Sequence, residues 1–186
     1  MNVQSPVRIH KPAFLDWIQR QKGRYELAEG RVVMMTGASL NHAIIVGNLQ
    51  SLLKTQLDAG TWRVVADFGL DTGPETVRYP DILVGRKGHH GGDLTTNAPA
   101  LLIEVLSPST ATFDLGDKAS EYLRLATLSA YVVFAQDNRK AWVWVRGEAG
   151  FPLGPQVIEG DDETVRIPAL GIDLRFSEVY ADLEET

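Results

Sequence analysis

The spacing of apolar residues divides the chain into helix-like and strand-like stretches. In Lys11 to Gln21, Phe14, Leu15 and Ile18 recur at helical spacing, and Gly23 ends the segment. Tyr25-Glu26-Leu27 and Arg31 to Met35 read as strands joined by a turn at Gly30. A longer helix follows. Ser39 or Asn41 can cap it, Ile45, Leu49, Leu52 and Leu53 share one face, and Gly60 stops it near Ala59. Trp62 to Ala66 and Val77 to Val84 read as strands on either side of a Gly73-Pro74 turn. Ala100 to Leu106 is apolar except at Glu104 and reads as a strand buried on both faces, broken by Ser107-Pro108-Ser109. Leu115 to Thr127 predicts a helix, and Tyr131 to Ala135 with Ala141 to Val145 predicts a hairpin across Asp137-Asn138-Arg139. The tail from Pro152 to Thr186 holds two or three short strands and a helical turn near Glu178. The glycine-rich stretch from Gly85 to Asn97 reads as a mobile loop. This order predicts a single α/β domain over residues 1–186, with a mixed central sheet flanked by helices.

Composition adds limits. With 44% hydrophobic residues in 186, a full core can form without staples. Cysteine is absent, which excludes disulfides and zinc–thiolate sites and fits a reducing compartment. No run approaches the ~20 apolar residues of a membrane span, and Met1 to His10 lacks the apolar block of a signal peptide. These features point to a soluble, cytoplasmic protein that does not enter a membrane. The net charge of -6 argues against a generic nucleic-acid coat, though not against an enzyme that reaches nucleic acid through a local groove.

Candidate chemistry starts at Glu104, a carboxylate inside an apolar strand. An unpaired buried carboxylate costs several kcal/mol, so a cation, an internal Arg or Lys, or protonation must compensate it. Asp81, in Tyr79-Pro80-Asp81-Ile82-Leu83-Val84, alternates onto the side of Leu83. The two acids can converge if their strands are neighbours, and hard divalent cations such as Mg²⁺ are held by such oxygens. Lys118 falls beside the apolar stripe of Leu115, Ala119, Leu123 and Ala126. At that rim its ammonium could reach a site, or simply pair with Asp114. His42 opens a helix and can be a further ligand, a base or an ordinary helix residue. His89-His90 sits in the glycine-rich stretch, and Asp161-Asp162-Glu163 reads as a solvated turn. Trp142 and Trp144 share one face of a hairpin strand read as exposed, where they could stack on bases or pack in a core or dimer. No Walker-type phosphate loop occurs, and Ser107 is not in a nucleophile elbow.

Tyr79-Pro80-Asp81, the block Leu102-Ile103-Glu104-Val105-Leu106-Ser107-Pro108-Ser109-Thr110, and then Asp114, Lys118 and Tyr122 resemble the PD-(D/E)XK nuclease superfamily, and within it the restriction-endonuclease-like Uma-two family. The likeness runs from Tyr25 through His42 to Trp142. It implies a restriction-endonuclease-like fold, metal-binding carboxylates at Asp81 and Glu104, a further ligand in the backbone carbonyl of Val105, and an upstream acid at Glu26. His42, Asp114 and Tyr122 would stand behind these. The chain departs from the superfamily where a lysine is expected two residues after the second acid, at Leu106; the resemblance suggests that Lys118 replaces it. The implied activity is Mg²⁺- or Mn²⁺-dependent endonuclease cleavage of phosphodiesters, DNA favoured, by a homodimer. The rival readings are a catalytically silent domain of the same fold that binds protein or nucleic acid, and hydrolysis of another phosphoester.

Overall fold

The computed structural model describes residues 8–35, 37–88, 90–106 and 115–183. Its centre is a six-stranded mixed sheet in the order β11-β10-β9-β8-β6-β3. The strands are β3 Trp62–Val65, β6 Ile82–Arg86, β8 Pro99–Leu106, β9 Ala130–Ala135, β10 Lys140–Val145 and β11 Gln156–Glu159. β8 and β9 run parallel, while the other pairs are antiparallel. All eight residues of β8 are buried, as its near-continuous apolar run requires.

Alternation along the strands assigns each residue to one of two layers. Ile82, Val84, Leu101, Ile103, Val105, Val132 and Phe134 face helix α2 (Leu40–Gln56), through its Ile45, Leu49 and Leu53. The same layer is closed by the hairpin β12 Thr164–Ile167 with β13 Ile172–Arg175. Leu83, Leu102, Leu106, Tyr131 and Val133 face the other way, toward a short helix α3 (Asp117–Tyr122). Glu104 belongs to this second layer by alternation.

A second sheet stands beside that layer in the order β2-β1-β5-β4-β7. Its strands are β1 Tyr25–Ala28, β2 Arg31–Met34, β4 Gly69–Gly73, β5 Thr76–Arg78 and β7 Thr95–Thr96. Helix α1 (Lys11–Ile18) packs Phe14 against Leu27 and Val77 on one face. Glu26 and Arg78 alternate with those residues and so occupy the opposite face. Gly69 is required by close approach: a Cβ there would stand 2.5 Å from the Leu94 carbonyl oxygen as β4 meets β7. A last helical turn, α4 Phe176–Val179, buries Phe176 and Val179. None of the helices among the described residues is long and apolar enough to cross a membrane.

Several boundaries differ from the sequence reading, each for a local reason. The strand expected over Val77 to Val84 is two strands in different sheets. The break falls at Tyr79-Pro80-Asp81, where proline offers no donor and the flanking N–H groups go to side chains: Tyr79 to Glu26 at 3.1 Å and Asp81 to Glu104 at 3.3 Å. Helix α2 ends at Gln56 because Asp58 caps the following turn through Gly60 N and Thr61 Oγ1. Helix α3 stops at Tyr122, well short of Thr127; Arg146 takes the Leu125 and Leu128 carbonyls at 2.7 and 2.6 Å. The stretch expected as one loop from Gly85 to Asn97 contributes the end of β6 and all of β7.

The β9–β10 hairpin is not an exposed element. β11 covers its outer edge, and Trp144 is 3% exposed and stacked on Tyr131. Trp144 is therefore a core residue rather than a base-stacking platform, and the hairpin gives no support for a homodimer.

Candidate functional site

The break between β5 and β6 places Asp81 just before the start of β6, an interior strand of the central sheet, beside Glu104 of β8. The β6–β8 register, Ile82 opposite Ile103 and Leu83 opposite Leu102, carries back to Asp81 opposite Glu104. The two residues exchange side-chain to main-chain bonds. The Asp81 N–H donates to Glu104 Oε2 at 3.3 Å, and the Val105 N–H donates to Asp81 Oδ2 at 2.8 Å. These bonds fix both carboxylates relative to the backbone, so their separation is a property of the sheet. His42, in the first turn of α2, places Nε2 3.2 Å from Asp81 Oδ2. Its main-chain N–H is held by the capping Ser39, so the cap that starts the helix also aims the imidazole.

Glu104 is 3% exposed and is compensated from within the chain. Lys118 Nζ donates to its Oε1 at 3.0 Å, and the Tyr122 hydroxyl donates to the same oxygen at 3.0 Å. Four residues apart on α3, these donors share one face. Burial, and then the charge of Glu104, pushes the Tyr122 hydroxyl well above its ordinary pKa, so it stays protonated as a donor. Lys118 is 7% exposed, not at the helix rim as its place beside the apolar stripe predicted. It is drawn in by two carboxylates, Glu104 and, at 3.7 Å, Glu26. The pairing with Asp114 lies outside the described residues, as does His89. His90 is engaged locally, its N–H bonded to Asp93. The 161–163 acids form an exposed turn, with Asp161 beside Arg139.

Glu26 is held from three sides: the Tyr79 N–H, Lys118, and Arg78 Nη1 at 3.2 Å. Arg78, 3% exposed, also grips Glu121 of α3 with Nε at 2.9 Å and Nη2 at 2.5 Å. Burial works against its charge, but the bond to Glu121 and the carboxylates of Glu26 and Glu121 outweigh it and leave its pKa above the ordinary guanidinium value. Sequence reasoning missed Arg78 and Glu121. The available signals were the three-residue spacing of Glu121 from Lys118 and the position of Arg78 three residues before Asp81.

Among the described residues this network holds four acidic side chains (Glu26, Asp81, Glu104, Glu121) and two basic ones (Arg78, Lys118). By formal charge, histidine left out, the acids exceed the bases by two. No group of three His, Asp or Glu donors among the described residues is arranged to cage a metal. The donor set is instead two hard carboxylates, and the hydrogen bonds among the described residues engage Oδ2 of Asp81 and leave Oδ1 without one. This suits a Mg²⁺-like ion, which takes one or two carboxylates and completes its shell with water and substrate oxygens. Leu106, 7% exposed, packs in the same layer as Glu104, so an apolar group does stand where the superfamily lysine would be.

This arrangement, an acid pair on adjacent strands of a mixed sheet with a lysine reaching in, belongs to the restriction-endonuclease-like class. The chain belongs to the Uma2 family, described as "Putative restriction endonuclease", whose profile matches residues 12–177. It is 27% identical over 141 residues to the Synechocystis protein slr1290, covering 74% of each chain. It is 30% identical over 129 residues to sll1609 of the same organism, covering 65% of this chain and 73% of that one. The fold matches the crystal structure of a "putative nuclease belonging to DUF820" from Anabaena variabilis, with a TM-score of 0.73, 17% identity, and 95% and 98% of the two chains covered.

Proposed function

We propose that this chain is a metal-dependent nuclease that hydrolyses phosphodiester bonds, with DNA as the favoured substrate. The observation that carries this reading is the direct opposition of Asp81 and Glu104, both fixed by main-chain bonds, with the Lys118 ammonium against the second acid. Asp81 and Glu104 would hold one Mg²⁺ or Mn²⁺, with the Val105 carbonyl completing the protein's contribution. Such an ion, when bound, acidifies a water and offsets charge on the phosphoryl oxygens. Lys118 would orient the attacking water or stabilise developing negative charge. Tyr122 keeps Glu104 in place by donating to the oxygen that Lys118 also uses. His42 steadies Asp81. Glu26, already shared by Arg78 and Lys118, anchors cations behind the site.

The rival reading, a silent binding domain, is favoured by one observation: Lys118 and Tyr122 already compensate Glu104 without a metal. Cleavage separates the two. Supercoiled plasmid incubated with the protein and Mn²⁺ should be nicked or linearised, and EDTA should stop the reaction. Asp81→Asn should slow it at least about a hundredfold. Equal conversion by wild type and variant would remove the enzymatic reading.

A further inference from the structure

We propose that Arg78 and Glu121 are positioning residues that set where the Lys118 ammonium stands between Glu26 and Glu104. Its catalytic consequence rests on the nuclease reading above. Helix α3 has six residues and cannot hold its own shape by internal bonds alone. Yet it carries a lysine whose flexible four-carbon stem must deliver an ammonium to one carboxylate oxygen.

The fork from Arg78 to Glu121 supplies the missing constraint. Its two bonds, 2.9 and 2.5 Å, tie α3 to β5 by the planar geometry that guanidinium and carboxylate share. Thr72 on β4 adds a 3.2 Å bond to Glu121 Oε2. Glu121 lies three residues after Lys118 and one before Tyr122, so fixing it fixes the turn that presents both donors to Glu104. The third arm of Arg78 reaches Glu26 at 3.2 Å. Because Arg78 shares the charge of Glu26, Lys118 can stand nearer Glu104, at 3.0 Å, than Glu26, at 3.7 Å. Without Arg78, Glu26 would be a buried acid competing for the same ammonium.

Lysine acetylation followed by mass spectrometry reads the position of Lys118 without requiring activity. In folded wild-type protein Lys118 should label slowly. In Glu121→Leu its labelling should quicken at least about tenfold while Lys54 and Lys87 are unchanged. Glu121→Gln, which keeps the length and one acceptor of the fork, should restore part of the protection, and it serves as the test if Glu121→Leu does not fold. On cleavable DNA, Glu121→Leu should lower kcat about tenfold or more with KM little changed. Labelling of Lys118 at the wild-type rate in folded Glu121→Leu would overturn the proposal; if that variant does not fold, Glu121→Gln should label faster than wild type, and no increase there would overturn it. If labelling responds but wild-type protein cleaves nothing, the clamp stands and the nuclease reading falls.

Discussion

Glu104→Gln is expected to eliminate metal-dependent cleavage, by at least about a hundredfold, in a protein that remains folded. Glutamine preserves the size of the side chain but not its acceptors. Glu104 Oε1 receives Lys118 and Tyr122, and Oε2 receives the Asp81 N–H. Either orientation of the amide sets its NH₂ against at least one of these donors, a loss of about 1–3 kcal/mol. Lys118 still has Glu26 at 3.7 Å, which limits the damage. Alanine would instead leave both α3 donors facing a void, so glutamine is the cleaner variant. Cleavage rates beside circular dichroism melts would check the expectation. Full activity in the folded variant would show that Glu104 holds no part of the reaction.

The second large effect is at Lys118. Lys118→Met keeps the buried stem and removes the ammonium. Breaking one side of a buried ion pair costs about 3–5 kcal/mol, or roughly 6–20 °C in Tm for a chain of this size. The lower end is expected, because Tyr122 and the Asp81 N–H remain on Glu104. Divalent metal should then reverse part of the loss. With the ammonium gone, the site is one unit more negative, so Mn²⁺ should bind more tightly and raise Tm by mass action more in the variant than in wild type. Cleavage should fall at the same time. Thermal melts with and without Mn²⁺ read both effects, and equal Mn²⁺ shifts in the two proteins would remove Glu104 from the ligand set.

Much of this site could be found in the sequence because burial and charge conflict visibly at Glu104. A carboxylate within an apolar strand had to be compensated, and the compensation is there, in Lys118 and Tyr122. Alternation also placed Asp81 on the correct side of its strand. What periodicity could not supply was adjacency. That β6 lies beside β8, and that Glu26 of a different sheet faces the same space, are long-range facts with no local signature. Lys118 shows the consequence. A helical stripe counts apolar neighbours on one helix, so it put Lys118 at a rim; two acids on other elements draw it inside. The hairpin's expected exposure was corrected for the same reason, since its outer edge is covered by β11, contributed from the tail. Core packing, one of the alternatives for its tryptophans, holds for Trp144. Arg78 and Glu121 escaped notice because each looks ordinary alone, and only their mutual fork marks them.

The claim on which the rest depends is that Asp81 and Glu104 jointly hold one divalent cation. Anomalous diffraction from crystals soaked in Mn²⁺ tests it directly. A single manganese peak within ~2–2.5 Å of an oxygen from each carboxylate, with the Lys118 ammonium moved off Glu104, is the predicted result. No peak between the two acids at saturating Mn²⁺, with Lys118 still bonded to Glu104, would contradict it.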